Sequence, residues 1–253
     1  MRSMAHRYWR VKTEREEKNT MSVYCIIPAR KGSKRVPNKN FRMFCGAQMV
    51  ERAVKKSDKA GLCTYISTDR NDYCGTIVIH RQGDLANDEC GLIDVIKDAI
   101  FSFSERDMII NDSCIFVCLL PCTPLLKSET LRRAVESYKK NYAATNEMMV
   151  SVCEYPHTLA RALEIMDSVL YMEDRDSVLA RTQDCPTYYH DAGQFYIATA
   201  KRWLSGEPIL ADGAKPWLLP RWEAVDIDTE EDWRLAELIY RGMQHDDNQD
   251  TQD

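Results

Sequence analysis

The feature that most constrains the fold of this chain is the order of its hydrophobic periods, in which short β-branched apolar runs alternate with longer stretches of helical spacing. Residues 23–28, Val-Tyr-Cys-Ile-Ile-Pro, form one such run, and a loop rich in Gly and Lys separates it from a helical pattern over 49–60. Residues 63–67 predict a second strand, 92–103 a helix, 114–119 a buried strand, 131–142 a helix with Ser128 as its N-cap, and 148–153 another strand. This alternation predicts a three-layer α/β fold, a mostly parallel sheet with helices on both faces, whose ligands sit beyond the carboxyl ends of the strands.

Over 154–189 the alternation lapses into a polar segment in which Leu163, Ile165, Val169, Leu170 and Tyr171 have hairpin-like spacing; it is the expected insertion. From Asp191 the order returns, with a strand over 195–198, a turn around Gly206 and Pro208, and a short strand at 224–225. A last helix starts at Thr229, where Asp232 three residues on makes a capping-box-like start, and runs to about Met243. With 253 residues and 44% hydrophobic content the chain can bury one sizeable core, expected over 22–243. Residues 244–253 read as a disordered acidic tail. Residues 1–21 mix Arg, Lys and Glu without an apolar centre, unlike a secretory signal or a transit peptide, and are expected to be a frayed extension upstream of a true start near Met21.

A net charge of -5 argues against general affinity for nucleic acid or an anionic membrane, so any anion site must be local. The longest wholly apolar run, Cys114 to Leu120, falls far short of the roughly 18 to 20 residues of a membrane span, and a soluble protein is expected. Ten cysteines are scattered from Cys25 to Cys185 with no C-x-x-C pair, which suits reduced thiols in the cytoplasm. Cys114, Cys118 and Cys122 recur every four residues, but two lie in a strand and the third between prolines, a poor match to zinc-ligand spacing.

Arg30, Lys31, Lys34, Arg35 and Lys39 place five cations around Gly32 directly after the first strand. Backbone N–H groups at such a strand end, with flexible lysines and a forked arginine, make an anion trap; a solvated basic loop is the plain alternative. No G-x-x-x-x-G-K-[ST] string occurs. The whole string Ile27-Pro28-Ala29-Arg30-Lys31-Gly32-Ser33-Lys34-Arg35-Val36-Pro37-Asn38-Lys39-Asn40 closely resembles the signature of the CMP-sialic acid synthetase family. The resemblance implies a Rossmann-like nucleotidyltransferase in which this loop wraps the triphosphate of CTP. The matching positions are Arg30, Ser33, Lys39 and Asn40, with Ala29 and Gly32 in the same substrate-binding set.

Ser67-Thr68-Asp69, and Arg81 leading into Leu85-Ala86-Asn87-Asp88, look like the family segment that recognises cytosine and ribose, with Arg81 and Asp88 as its binding residues. A guanidinium suits the O2 and N3 acceptors of cytosine, whereas an ion pair of Arg81 with Asp84 or Asp88 is the structural alternative. Residues 70–80 are too few for the helix usual there. Leu120 stands where many sialic acid synthetases carry a glutamine that touches the sugar. Tyr188-Tyr189-His190-Asp191-Ala192-Gly193-Gln194-Phe195-Tyr196 is similar to the stretch that borders the sugar pocket of pseudaminic acid cytidylyltransferases. It nominates Tyr189, His190 and Gln194 as sugar contacts, while Phe195 is expected to face the core.

Asp226-Ile227-Asp228 sets two carboxylates on one side of an extended segment, where they can share a hard cation; acids at a helix N-terminus are the alternative. With Asp232-Trp233 and Ala236-Glu237 the string resembles the family's closing motif, in which the equivalents of Asp226 and Asp228 hold Mg²⁺. The resemblance, which spans about 23–243, implies transfer of CMP from CTP to an acidic nine-carbon keto sugar. Arg30, Lys39 and Asp228 would be catalytic and the 154–189 insertion would be the dimerisation element of a homodimer. Pseudaminic acid is the favoured acceptor, with N-acetylneuraminate, legionaminate or octulosonate as alternatives; a non-catalytic nucleotide-binding module of the same fold is the alternative of another class. The base remains open among a magnesium-bound water, a metal-acidified hydroxyl, Asp228 and His190.

Overall fold

A computed structural model describes residues 22–249, apart from 71, 74–76, 82–84, 86, 88, 89, 105–109, 177 and 178. The expected extension over 1–21, the end of the tail and the candidate Asp88 lie outside the described residues.

Strand β1 (Val23–Pro28) is buried along almost its whole length because it is covered on both faces. Two ribbon strands, β2 (Met43–Phe44) and β3 (Ala47–Gln48), lead into helix α1 (Met49–Lys59), which opens with a capping box between Gln48 and Glu51. Then come β4 (Cys63–Thr68), β5 (Ile77–His80), helix α2 (Leu92–Ser104), β6 (Ile115–Leu119), helix α3 (Ser128–Asn141) and β7 (Met149–Glu154). The hairpin β8 (Leu163–Met166) and β9 (Val169–Met172) precedes β10 (Tyr189–Thr199), helix α4 (Ala200–Ser205), β11 (Lys215–Leu219) and helix α5 (Glu230–Gln249).

Seven strands form one sheet in the order β11-β7-β10-β6-β1-β4-β5. Among the described residues only β10 runs against the others, pairing antiparallel with both β6 and β7. Alternate residues of each strand feed two cores. Cys25 and Ile27 pack with Val50 and Ala53 of α1 and with Leu131 and Val135 of α3, while Tyr24 and Ile26 pack with Ile96 and Phe103 of α2 and Trp203 of α4. This is the expected three-layer α/β sandwich, and truncating Ile26 or Ile27 to Ala would cost about 2–5 kcal/mol. A third cluster, Val36, Phe44, Met49, Cys122, Ile227, Trp233 and Ala236, pins α5 beside the loop that follows β1.

Several elements differ from the sequence reading. Ser128 is the first residue of α3 rather than its cap; Lys127 occupies the cap position, and its N–H donates to Glu223 Oε2 at 3.2 Å. The expected strand over 195–198 is the end of an eleven-residue strand, and burial on both sheet faces takes in Tyr196 as well as Phe195. No strand forms at 224–225: the edge partner of β7 is β11, followed by a 3-10 turn at Arg221–Glu223. β5, which the sequence reading did not anticipate, extends the sheet beyond β4, and α5 continues to Gln249, past the expected end at Met243.

Candidate active site

Because β1, β4 and β6 are parallel, Pro28, Thr68 and Leu119 end at one edge of the sheet. There a cleft of about 480 Å³ is lined by Arg30, Ser33, Lys34, Arg35, Lys39, Asn40, Arg81, Leu120, Asp226 and Asp228, among others. The side chains that converge on it come from four separate stretches of sequence.

The loop after β1 is tied down from behind. The Ala29 N–H donates to Ser67 O at 2.8 Å, and the Lys31 N–H donates to Asp69 Oδ1 at 2.7 Å. Asn40, buried, donates through Nδ2 to Arg30 O at 2.9 Å, and its Oδ1 accepts from the Cys122 thiol at 3.3 Å. Burial pushes the Cys122 thiol up to about 12, so it stays protonated and able to donate. Arg81 is only 8% exposed; its Nε donates to Ser67 Oγ at 2.9 Å and a terminal nitrogen to Ser67 O at 3.0 Å. Asp84 and Asp88, the alternative partners, lie outside the described residues.

Across the cleft, Ile227 is buried in the third cluster, so its neighbours Asp226 and Asp228 both face the opening, as alternation along an extended segment requires. Lys39 Nζ donates to Ile227 O and contacts Asp228 Oδ1 at 3.3 Å; Arg35 reaches the same oxygen at 2.9 Å. Loss of bulk water in the cleft, and then Asp228, push the Asp226 carboxyl up to about 6 against the opposing pull of Lys39. Thr229 and Asp232 close the capping box that starts α5, with the Thr229 N–H on Asp232 Oδ2 at 2.7 Å.

The remaining candidates stand apart from this cleft. Ala29 has its side chain in the core, and Gly32 is an exposed loop residue with open space where a Cβ would be. Gln194 is fully buried; its Nε2 donates to Ala192 O at 2.8 Å and to Val225 O at 3.4 Å. Tyr189 is half exposed at the start of β10, and the His190 ring meets Tyr155 edge-on at 4.9 Å with Nδ1 2.8 Å from Asp191 O. Lys34 and Arg35 were visible in the cationic run but not singled out, and their place in the cleft follows from the turn before Lys39. Lys56 was missed altogether: buried under the Leu120–Thr123 corner, its Nζ donates to Thr123 O and to Thr123 Oγ1.

A mostly parallel sheet with a cationic loop and two carboxylates at its carboxyl edge defines a nucleotide-handling α/β enzyme. The chain belongs to the cytidylyltransferase family, whose sequence profile matches residues 24–202, and its activity is accordingly nucleotidyl transfer. It is 29% identical to a pseudaminic acid cytidylyltransferase of Campylobacter jejuni, over 87% of this chain and 97% of that one. It is 31% identical to a CMP-N,N'-diacetyllegionaminic acid synthase of Legionella pneumophila, over 87% of this chain and 96% of that one. In three dimensions it matches CMP:2-keto-3-deoxy-manno-octonic acid synthetase complexed with CTP, at a TM-score of 0.60 and 13% identity over 88% of this chain and 99% of that one, a likeness of fold. Among the described residues no helix is long and apolar enough to cross a membrane.

Proposed function

We propose that the chain transfers CMP from CTP to a nonulosonic acid, with pseudaminic acid the preferred acceptor. The observation that carries this reading is the cleft itself, in which the basic loop faces Asp226 and Asp228 at the carboxyl edge of a cytidylyltransferase sheet. Arg30, Ser33, Lys39 and the backbone at Ala29 and Gly32 would bind the triphosphate, with Asn40 bracing the loop through Arg30 O. Arg81, with Asp88, would recognise the nucleoside. Tyr189, His190 and Leu120 would wall the sugar, with Gln194 beneath them.

In the reaction the anomeric hydroxyl of the sugar gives up its proton, to Asp228 or to water, as its oxygen bonds to the α-phosphorus of CTP. The bond from that phosphorus to the bridging oxygen of the β-phosphate breaks, and pyrophosphate leaves with the electron pair. Lys39 and Arg30 offset the charge that develops on the phosphates. Asp226 and Asp228 fit Mg²⁺: they are hard oxygen donors in one cleft, and the Asp226 carboxyl is raised first by its loss of water and then by Asp228, both of which a cation between them would offset. When bound, Mg²⁺ would supply charge neutralisation at the phosphates.

Pseudaminic acid is favoured by the named Campylobacter jejuni relative and by apolar Leu120 at the cleft. Legionaminate is the second reading, on the Legionella pneumophila relative. A homodimer through β8 and β9 accounts for Ile165 and Leu170 standing 71% and 62% exposed. The cytoplasm, where thiols stay reduced, is the compartment we assign. The test is pyrophosphate release from CTP and Mg²⁺ with a panel of nonulosonates and octulosonate. Release with pseudaminic acid is expected, and no release with any of them would leave only a nucleotide-binding module.

A further inference from the structure

Strand β10 is irregular at the point where it passes Asp226. Its pairing with β7 shifts register between Asp191 and Tyr196, and within that shift Gly193 adopts φ +59°. A Cβ at Gly193 would stand 2.8 Å from Asp226 Oδ2, closer than such atoms approach a neighbour, and a tight 3.1 Å from Asp226 Cγ. The carboxylate therefore lies directly against the bare backbone of Gly193.

The bulge is held from three directions. Asp191 Oδ1 accepts the Gly193 N–H at 2.9 Å, and Asp191 Oδ2 accepts the Tyr196 hydroxyl at 2.7 Å. Gln194 Nε2 spans from Ala192 O to Val225 O, the residue before Asp226. Ser151 Oγ accepts the N–H groups of Gln194 and Phe195 at 3.3 and 3.0 Å. Each of these groups serves the shape of the bulge, and the Asp226 carboxylate is what that shape accommodates.

We propose that Gly193 is a positioning residue, the seat on which the Asp226 carboxylate rests, and that the Asp191–Tyr196 pair locks the bulge that forms the seat. The consequence for turnover rests on the metal role given to Asp226 above; the seat itself does not.

The experiment is a double-mutant cycle read by thermal unfolding of the full chain without substrate. Gly193→Ala and Gly193→Asn are each made in the natural background and in Asp226→Ala, which deletes Oδ2 and Cγ and leaves Cβ at an ordinary 3.6 Å. If the seat is real, the fall in Tm is at least about twice as large with Asp226 present, because neighbours in contact are not additive. Asn tolerates the left-handed region better than Ala, so backbone strain alone would make Gly193→Asn the milder change, whereas contact with Asp226 makes it no milder. Equal losses in the two backgrounds, including failure of every variant to fold, or a clearly milder Gly193→Asn, would overturn the proposal. The positioning role is read separately: in Gly193→Ala and Tyr196→Phe the Mg²⁺ concentration for half-maximal turnover should rise about 10-fold or more, with the KM for CTP at saturating Mg²⁺ changing less. An unchanged Mg²⁺ requirement overturns that role. If the natural protein transfers no CMP to any acceptor, the functional reading fails while the melts still decide on the seat.

Discussion

Around the basic loop the polar groups bond within the chain: Asn40 to Arg30 O, Arg81 to Ser67, Lys31 to Asp69 and Lys39 to Ile227 O. At the other end of the same sheet edge, where β7 meets β10, Tyr188 and Tyr189 stand half exposed, and His190 has one short polar contact and the edge of Tyr155. Beyond them β8 and β9 present Leu163, Ile165, Val169 and Leu170 to solvent. The contrast teaches that the first region is organised before any ligand arrives. The second leaves surface exposed that, under the proposed function, an acceptor sugar and a second copy of the chain would cover.

The comparison breaks most decisively at the carboxylates. Asp226→Ala and Asp228→Ala should each lower kcat by at least about 10²–10³-fold, on the scale of losing a principal electrostatic contact in the transition state. EDTA should abolish turnover and added Mg²⁺ restore it; full activity in EDTA would remove the metal from the reading. Next in size, Lys39→Ala and Arg30→Ala should cut kcat/KM for CTP by about 10- to 150-fold, the equivalent of about 1.5–3 kcal/mol for a bond to a charged group. Normal CTP kinetics in both variants would make the loop mere solvated surface, and the preorganised half of the comparison would lose its meaning.

On the acceptor side the expected effects are smaller. Pseudaminic acid should exceed N-acetylneuraminic acid in kcat/KM by about 5- to 150-fold, since burying an unpartnered hydroxyl against Leu120 costs roughly 1–3 kcal/mol. Leu120→Gln should narrow the ratio. A ratio of one or below in the natural protein overturns the sugar assignment alone. Ile165→Asp with Leu170→Asp should convert a dimer to a monomer in sedimentation at micromolar concentration; a natural protein that is already monomeric leaves the hairpin without that role.

What was legible in sequence follows the same division. β1, its loop and Asp226-Ile227-Asp228 are contiguous strings whose hydrophobic alternation and charge report their own burial, and they reappear facing one cleft. β10 was read too short because Asp191, Gly193 and Gln194 interrupt the apolar pattern. What makes them strand residues is pairing with β7 across a register shift, a contact between distant parts of the chain. Gln194 reads as a sugar contact by its polarity; its Nε2 is used by Ala192 O and Val225 O, while its buried Oε1 has no hydrogen-bond partner among the described residues. β5, four residues long, carries too little periodicity to declare itself. β11, Lys-Pro-Trp-Leu-Leu, carries Pro216 near its start and turns Leu218 to solvent, so its apolar run does not alternate with a polar face.

Lys56 is the least legible residue of all, a cation inside a helix whose partner is 67 positions away, and it yields the subtlest prediction. It lies under the Leu120–Thr123 corner, where Thr123 Oγ1 also donates to Leu120 O at 3.0 Å, so it braces the corner that borders the cleft. Burial pulls its ammonium from the ordinary 10.5 down to about 7, with Glu223 opposing that fall and Arg52 adding to it. Between those two values the unfolded chain holds a proton that the folded chain has released, so the stability of the natural protein rises with pH across that window. Below about pH 7 both states are protonated, and the cost of the buried charge is present in full. Lys56→Met removes the titration along with the bonds to Thr123. The Tm of Lys56→Met minus that of the natural protein should therefore be highest near pH 6 and fall by about 3 °C or more towards pH 10, given about 2–4 °C per kcal/mol for a domain of this size. A difference that stays flat from pH 6 to 10 would mean that Lys56 titrates alike in both states. The corner would then be as open to water as the acceptor side, and the contrast between a preorganised half and an unfinished one would not extend beneath the cleft.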